Sequence, residues 1–431
     1  MKTAYICLDA DILHSGHLAL LEKAREYDRV VVGTLSDEAM MKSNRFSTIG
    51  LEGRLRICRS LGGVDEILVQ QDPAFGDVIE FLHPDFIIHS EDWGRGGAFA
   101  REKVVGNLRR FGGELIEIPC PYDAEIVRAE RSARERLSMP EYRRKRLRQL
   151  LTCKPFVRVI EAHSGLTGLI AEKTTVISDR GEPEQFDAMW VSSLCDSTEK
   201  GKPDIELVDM TSRFRTIDDL TEVTTKPIIF DGDTGGLKEH FAYTVRTLEK
   251  MGVSAVIIED KIGLKRNSLF GKEVIQKQDS VANFCAKIKA GKEAQLTDEF
   301  MLIARIESLI LEQGMEDALR RAAAYVDAGA DGIMIHSRKK TPDEVFEFCD
   351  RFRQTDVKTP IVVVPTSFDD VLEEELSLHG VNIVIYANQL IRSAFPAMRR
   401  TAEDILRYHR AKEANERLLP VQEIITLIDG V

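Results

Sequence analysis

The chain has 431 residues, 43% hydrophobic and 30% charged, which is long enough for two or three separately buried cores and reads as globular rather than disordered. Its formal net charge of −12 excludes nucleic acid and anionic membrane as expected partners unless a basic patch is segregated from the rest. Seven cysteines, an odd number without a CxxC or other metal spacing, argue against a disulfide framework, and no apolar run approaches the roughly 20 residues of a membrane span, so a reducing, cytoplasmic location is expected.

Residues 1–130 alternate strand-like and helix-like segments. Ala4 to Leu8 is a short apolar run, and Leu18, Leu20, Leu21 and Ala24 follow at helical spacing. Val30 to Val32, Phe86 to Ile88 and Leu115 to Ile118 supply further strands, which predicts a doubly wound, Rossmann-like parallel sheet binding ligands at its strands' carboxyl ends. Between the first strand and helix stands His14-Ser15-Gly16-His17. Two imidazoles around a glycine near a helix N-terminus suit a phosphate whose charge grows in a transition state; ordinary loop histidines are the other reading.

This arrangement resembles the cytidylyltransferase-like nucleotidyltransferases. The resemblance implies that His14 and His17 stabilise a nucleoside triphosphate, here CTP, while a small phosphonate attacks its α-phosphorus. It matches Lys42 to a basic residue expected after the second strand, Arg54 with Val64-Asp65 to the next helix and strand entry, and His89 to Trp93 (HSEDW) to a segment near nucleotide and acceptor. His14, His17, Lys42, Asp92 and Trp93 are therefore the implied nucleotide-binding residues. Leu8 stands where the family usually has glycine, and PYDAEIVRAERSARER stands where an ISTT-like helix start is usual.

Residues 131–153 are the basic part of an acidic protein, carrying Arg131, Arg134, Arg136, Arg143, Arg144, Lys145, Arg146 and Arg148, with Pro140 interrupting the helical pattern. With Tyr142 as the single aromatic residue, they lack the interleaved rings that stacking bases would require, and they read as an amphipathic helical linker whose arginines pair with acids elsewhere.

Residues 154–431 contain eight strand-like runs: Val157 to Glu161, Ala188 to Ser192, Pro227 to Phe230, Ala255 to Ile258, Met301 to Ile306, Gly332 to Ile335, Ile361 to Val364 and Ile383 to Tyr386. Eight such units separated by helical patterns predict a (β/α)8 barrel with its site at the strands' carboxyl ends. Polar residues do follow the runs: Ser192 and Ser193, Asp231 and Asp233, Glu259, Arg305 and Glu307, His336 and Ser337, Thr366, Asn388. Asp231, Asp233 and Glu259 suit a hard, oxygen-preferring cation such as Mg2+, with helix capping by the DGDTG segment as the alternative. Arg305 can fork onto a carboxylate or phosphate, with His336 and the Ser192 loop adding donors.

The segment Glu259 to Ser268, EDKIGLKRNS, carries the pattern EDK, five residues, NS, and resembles the signature of phosphoenolpyruvate mutase in the isocitrate lyase superfamily. The resemblance extends over roughly Val157 to Arg399. It implies a loop closing over the site, with Lys265, Asn267 and Ser268 on its functional side and Glu259 near magnesium. It places phosphate and carboxylate contacts on Ser192, Ser193, Leu194, Asn267, Ser268, Arg305 and His336, and a functional aspartate at Asp204. The expected reaction is Mg2+-dependent isomerisation of phosphoenolpyruvate to phosphonopyruvate in a homo-oligomer formed through the barrel, joined to CMP transfer from CTP to a phosphonate such as 2-hydroxyethylphosphonate. The alternative is a phosphonopyruvate hydrolase or carbon-carbon lyase with a non-catalytic nucleotide-binding module. The superfamily's lyases carry a cysteine in the gating segment, whereas EDKIGLKRNS has none and Cys195 lies in another loop.

Overall fold

A computed structural model describes residues 1–91, 93, 97–119, 124–178, 183–263, 265–268 and 276–428. The N-terminal unit is a five-stranded parallel sheet of β1 (Thr3–Cys7), β2 (Arg29–Leu35), β3 (Glu66–Gln70), β4 (Phe86–Ser90) and β5 (Glu114–Ile118) in the order β3-β2-β1-β4-β5. Alternating side chains serve two cores: Ala4 and Ile6 pack with Leu20, Leu21 and Cys58, whereas Tyr5 packs with Val78, Ile79 and Leu108 on the other face. Gly33 on β2 is required by this packing, since a Cβ there would lie 1.5 Å from the Tyr5 hydroxyl. The strand order reverses at β1, so the loops after β1 and β4 flank the crevice where ligands bind in doubly wound sheets. β3 is not among the segments singled out above as strand-like. It is a short edge strand, EILVQ, whose Val69 is exposed, and partial burial weakens the apolar signal.

The C-terminal unit is a closed barrel, β10-β11-β14-β15-β16-β17-β6-β9, of parallel strands β6 (Val157–Glu161), β9 (Ala188–Val191), β10 (Ile228–Asp231), β11 (Ala255–Glu259), β14 (Met301–Ile306), β15 (Gly332–Ile335), β16 (Ile361–Val363) and β17 (Ile383–Tyr386). All eight predicted runs are strands, with ends shifted by a residue at most. Two small hairpins are added, β7 (Thr175–Ile177) with β8 (Pro183–Gln185), and β12 (Lys261–Ile262) with β13 (Lys277–Gln278).

The basic segment forms part of the helix Ala124–Ser138 and all of the helix Pro140–Cys153, with Pro140 opening the second, where its missing N–H costs no helical bond. Leu147 and Leu150 of the second helix are fully buried and join the barrel's interior cluster with Val157, Val159, Ile229 and Ile303. Each such leucine is worth about 1.5–3 kcal/mol of apolar burial, so this helix belongs energetically to the barrel it closes from below. Gly252 receives it: a Cβ there would lie 2.6 Å from Pro140 Cα, and its φ of 79° is left-handed. The expected pairing of the arginines with acids holds for Arg144 with Glu299 (3.0 Å) and Arg148 with Asp331 (2.7 Å). Three others bond backbone carbonyls instead, Arg134 that of Val223 at 3.2 Å. Arg143 donates to the carbonyls of Thr221 and Thr224, and Arg146 to that of Leu137, because both side chains are buried where backbone oxygens are the available acceptors.

After β17 the helix Gln389–Tyr408 buries none of its residues and exposes Phe395, Met398, Ile405 and Leu406. No helix among the described residues is long and apolar enough to cross a membrane.

Candidate active sites

The barrel's carboxyl end holds a cavity lined by every expected substrate contact, Ser192, Ser193, Leu194, Asp204, Lys265, Asn267, Ser268, Arg305 and His336, together with Asp231 and Glu259. β-strand register explains the convergence. Glu259 and Arg305 are direct neighbours on β11 and β14, and Arg305 is paired with Met334 two residues before His336. Side chains at matching heights near the strand ends therefore point into one mouth. Thr366 and Asn388, which follow β16 and β17, line it too. The Thr366 hydroxyl is buried without a hydrogen-bond partner, which leaves a donor for a ligand.

The Glu259–Ser268 loop lies docked on this mouth. The Lys265 ammonium donates to Asp204 Oδ1 at 2.7 Å and also contacts Ser193 Oγ and Asp233 Oδ1. Burial would depress the basicity of Lys265, but Asp233, Asp231 and Asp204 together raise it above the ordinary lysine range, so it is a fixed cation. Asn267 Nδ2 donates to Asp204 Oδ2 at 3.0 Å. Ser268 Oγ donates to Glu307 Oε2 at 2.5 Å and accepts from Arg305 Nη2 at 2.7 Å and from Lys261 Nζ at 2.8 Å.

Two residues outside the expected set hold this network. Glu307 is fully buried and accepts Arg305 Nε at 2.5 Å; although burial opposes its charge, Arg305 and Lys261 keep its carboxyl well below the usual range. Lys261 is buried and donates to the Arg266 carbonyl, Ser268 and Gln276. Their signal in the sequence is their spacing, Lys261 two residues past β11 and Glu307 one past β14, but charge alone did not distinguish them from solvated loop residues. His336 Nδ1 accepts from Arg305 Nη2 at 2.8 Å, so its proton is on Nε2. Burial and the Arg305 charge lower its basicity and keep it neutral.

The three acids do not behave alike. Asp231 accepts the Ser193 amide at 3.1 Å and hydroxyl at 2.8 Å on Oδ2; burial opposes its ionisation, but Lys265, Arg213 and Arg305 hold it at about 2. Glu259 is pushed up to about 7 by burial; its Oε1 makes no hydrogen bond but lies 3.2 Å from Lys261 Nζ, and its Oε2 lies 3.5 Å from Arg305 Nη2. Asp233, the third acid expected near the metal, is held differently here. It does not line the cavity, and its oxygens are taken by Lys265 and by Arg213 Nη1 at 2.8 Å. Its φ of 52° is left-handed, a cost of about 1 kcal/mol or more for a non-glycine residue, held by these two cations. The ionised Asp231, the Glu259 carboxyl and neighbouring hydroxyls form an all-oxygen donor set that suits a hard cation retaining water. Among the described residues, the one trio of His, Cys, Asp or Glu with ligand atoms all within 4.8 Å is Glu161, His163 and Cys195. That trio is already satisfied internally: Glu161 Oε2 accepts His163 Nδ1 at 2.7 Å, and Cys195 donates to the Ala387 carbonyl.

In the N-terminal unit, His14 caps the helix Ser15–Ala24 by accepting the Gly16 amide on Nδ1 at 3.2 Å. Its ring lies 3.8 Å from that of His17. Burial and His14 lower His17 to about 4, so His17 is neutral at pH 7, with Nδ1 buried and unpartnered. Trp93, just past β4, stacks on His89 at 3.8 Å and donates to Glu117 at 2.8 Å; Asp92 lies outside the described residues. Lys42, expected near the nucleotide, lies at the domain junction. It pairs with Glu38 at 2.7 Å and lines a cavity with Lys154, Phe156 and Asp187 of the barrel unit, because its position in the last turn of the helix Asp37–Lys42 faces the domain junction. Arg45, three residues on, instead pairs with Asp9 in the loop after β1. Arg54 is buried and bonds Asp9 O, Thr34 and Asp37, a structural anchor for that loop.

The phosphoenolpyruvate phosphomutase family matches residues 147–406, and the cytidylyltransferase-like family matches residues 9–145. Phosphoenolpyruvate phosphomutase of Streptomyces hygroscopicus is 35% identical over 66% of this chain and 87% of its own length. Phosphonopyruvate hydrolase of a Variovorax species is 35% identical over 60% of this chain and 88% of its own. Among solved structures, the phosphomutase from Streptomyces platensis subsp. rosaceus superposes with a TM-score of 0.59 at 34% identity, covering 65% of this chain and 93% of that one. A phosphonopyruvate hydrolase bound to oxalate and Mg++ superposes with a TM-score of 0.55 at 32% identity, covering 63% and 89%. With a barrel whose cavity gathers the signature loop onto Arg305 and Asp231, and a parallel sheet carrying the paired histidines, the chain belongs to the phosphoenolpyruvate phosphomutase family and bears an N-terminal cytidylyltransferase-like domain.

Proposed function

We propose that the barrel interconverts phosphoenolpyruvate and phosphonopyruvate by moving the phosphoryl group between the enolate oxygen and C3. The observation that carries this reading is the docked loop, whose Lys265, Asn267 and Ser268 line the cavity and are hydrogen-bonded to Ser193, Asp204 and Arg305 of the barrel. A loose, metaphosphate-like phosphoryl group needs positioning, charge neutralisation and dryness more than a nucleophile. Arg305, rigidly braced by Glu307, offers a guanidinium to the phosphoryl oxygens, and neutral His336 offers Nε2–H. Asn267 and the Ser192–Leu194 segment position the remaining oxygens. Asp231 and Glu259 would hold Mg2+, the ion bound in the related hydrolase, and when bound it supplies positive charge to the enolate and carboxylate oxygens. Asp233 and Asp204 act through Lys265, closing the loop rather than touching the ion. Phosphorus NMR of the protein with phosphonopyruvate and magnesium tests the proposal: phosphoenolpyruvate must appear, whereas inorganic phosphate would assign the hydrolase reaction.

For the N-terminal domain we propose CMP transfer from CTP to a small phosphonate such as 2-hydroxyethylphosphonate. A phosphonate oxygen bonds to the α-phosphorus, the bond to the bridging oxygen breaks, and pyrophosphate leaves with the electron pair. His14 and His17 lie at a helix N-terminus beside the crevice, where their N–H groups would meet the triphosphate. Pyrophosphate release from CTP dependent on added phosphonate tests this step. We further propose a cytoplasmic homo-oligomer associating through the barrel, on the apolar face of the helix Gln389–Tyr408, which light scattering tests.

A further inference from the structure

Between the two units lies a cavity lined by Arg45, Lys145, Arg146, Tyr142 and Gln149, with Asp37 at its wall. Arg45 is paired with Asp9, but the charge of Arg146 is uncompensated. Arg146 is 1% exposed, is not ion-paired among the described residues, and has Nη1 buried without a partner; its Nη2 reaches only the Leu137 carbonyl at 2.6 Å. Its guanidinium stacks 4.5 Å from the Phe46 ring, which fixes the plane but leaves the Nη1 edge unanswered. The neighbouring buried Arg143 is likewise held by carbonyls, and burial with Arg143 lowers Arg146 to about 9. Lys145 lies over the Tyr142 ring at 4.9 Å. The carboxylate at the wall is spent, since Asp37 Oδ1 accepts Arg54 at 2.6 Å and Oδ2 accepts the Leu51 amide at 3.2 Å. A buried guanidinium without a counter-ion is unfavourable unless an anion completes it, and the fork of an arginine fits phosphoryl-type oxygens.

The cavity also leads somewhere. Arg45 pairs with Asp9 in the loop after β1, and both carry charge felt by His17. We infer that this junction cavity binds a small phosphonate dianion, with Arg146, Lys145 and Arg45 as its ligands, and delivers it as acceptor toward His17. The acceptor role rests on the proposed CMP transfer; the anion site does not. Two features of the fold support the assignment. The basic residues come from both units, so the site exists only in the joined chain. Lys145 and Arg146 also belong to the helix that plugs the barrel's lower end, far from the phosphomutase cavity, so their replacement leaves that cavity's residues in place.

Titration calorimetry of the full chain with methylphosphonate, inorganic phosphate and CTP compares the natural protein with Gln149→Glu, which adds a carboxylate to the cavity, and Lys145→Ala. Circular dichroism and melting temperature check folding, and Arg146→Met is read only if folded. Methylphosphonate binding at the junction should weaken at least tenfold in both of the first variants, with KM for the phosphonate rising in parallel and kcat for pyrophosphate release changing less than threefold. Unchanged methylphosphonate isotherms in folded variants overturn the site, as does weakening confined to CTP. If the natural chain releases no pyrophosphate yet loses methylphosphonate binding in the variants, the anion site stands and the CMP-transfer reading falls.

Discussion

Replacing Lys265 by methionine removes one charge from the centre of the docked loop and keeps the side chain's length. In the native protein Lys265 is 6% exposed and its ammonium bridges Ser193, Asp204 and Asp233, of which the Asp204 contact is 2.7 Å. Hydrogen bonds to charged groups contribute about 1.5–3 kcal/mol each, and removing one member of a buried ionic cluster costs about 3–5 kcal/mol because the partners remain charged. Arg213 still neutralises Asp233, and Asn267 still reaches Asp204 at 3.0 Å, so the lower end of that range applies. The loop can also relieve the penalty by opening, which lets water reach Asp204 and transfers the cost from global stability to closure. A loss of about 3 kcal/mol in closure corresponds to roughly a hundredfold fall in kcat/KM. Phosphonopyruvate consumption and limited proteolysis between residues 260 and 276 measure the two halves of the argument. A variant retaining kcat/KM within threefold, with unchanged protease resistance, would refute the claim that Lys265 locks the loop.

Asp231→Ala should reduce turnover by a factor of 100 or more with the melting temperature little changed, because the ionised carboxylate is the best placed of the acids to hold the cation; near-normal activity with intact magnesium dependence would remove it from the site. Ser268→Ala deletes the hydroxyl shared by Arg305, Glu307 and Lys261, and should divert part of the phosphonopyruvate flux to phosphate and pyruvate, read by phosphorus NMR, whereas an unaltered product ratio would make the serine structural. Cys195→Ala should keep activity within about threefold, since burial pushes this thiol far above the thiolate range and it bonds Ala387 O; a thousandfold loss would revive a lyase-type role. His17 has a folded value of about 4 against the ordinary 6.5, so its contribution to stability is present above 6.5 and is lost as pH falls toward 4. The N-terminal unit should lose on the order of 3 kcal/mol across that interval, and His17→Gln should flatten the melting-temperature profile between pH 6.5 and 4.

The barrel was legible because its strands are buried on both faces, which makes each an uninterrupted apolar run ending in polar residues, and this pattern places Ser192, Asp231, Glu259, Arg305 and His336 at one rim before any coordinates exist. The string EDKIGLKRNS likewise fixed which loop covers the site. Partner choice was not legible. Asp231 and Asp233 are two residues apart and chemically identical, yet one lines the cavity and the other is consumed by Lys265 and Arg213, the latter from a helix some twenty residues earlier in the chain. Lys42 satisfied a positional match but turns to the domain junction, while Arg45 meets the loop after β1, because helix phase and not sequence distance decides where a side chain points. The basic helix Pro140–Cys153 shows the same division. Its charge was evident from composition, but that Leu147 and Leu150 seal a barrel while Arg146 is left without a counter-ion depends on which surfaces two domains bring together, and long-range packing leaves no periodic trace in a local stretch of chain.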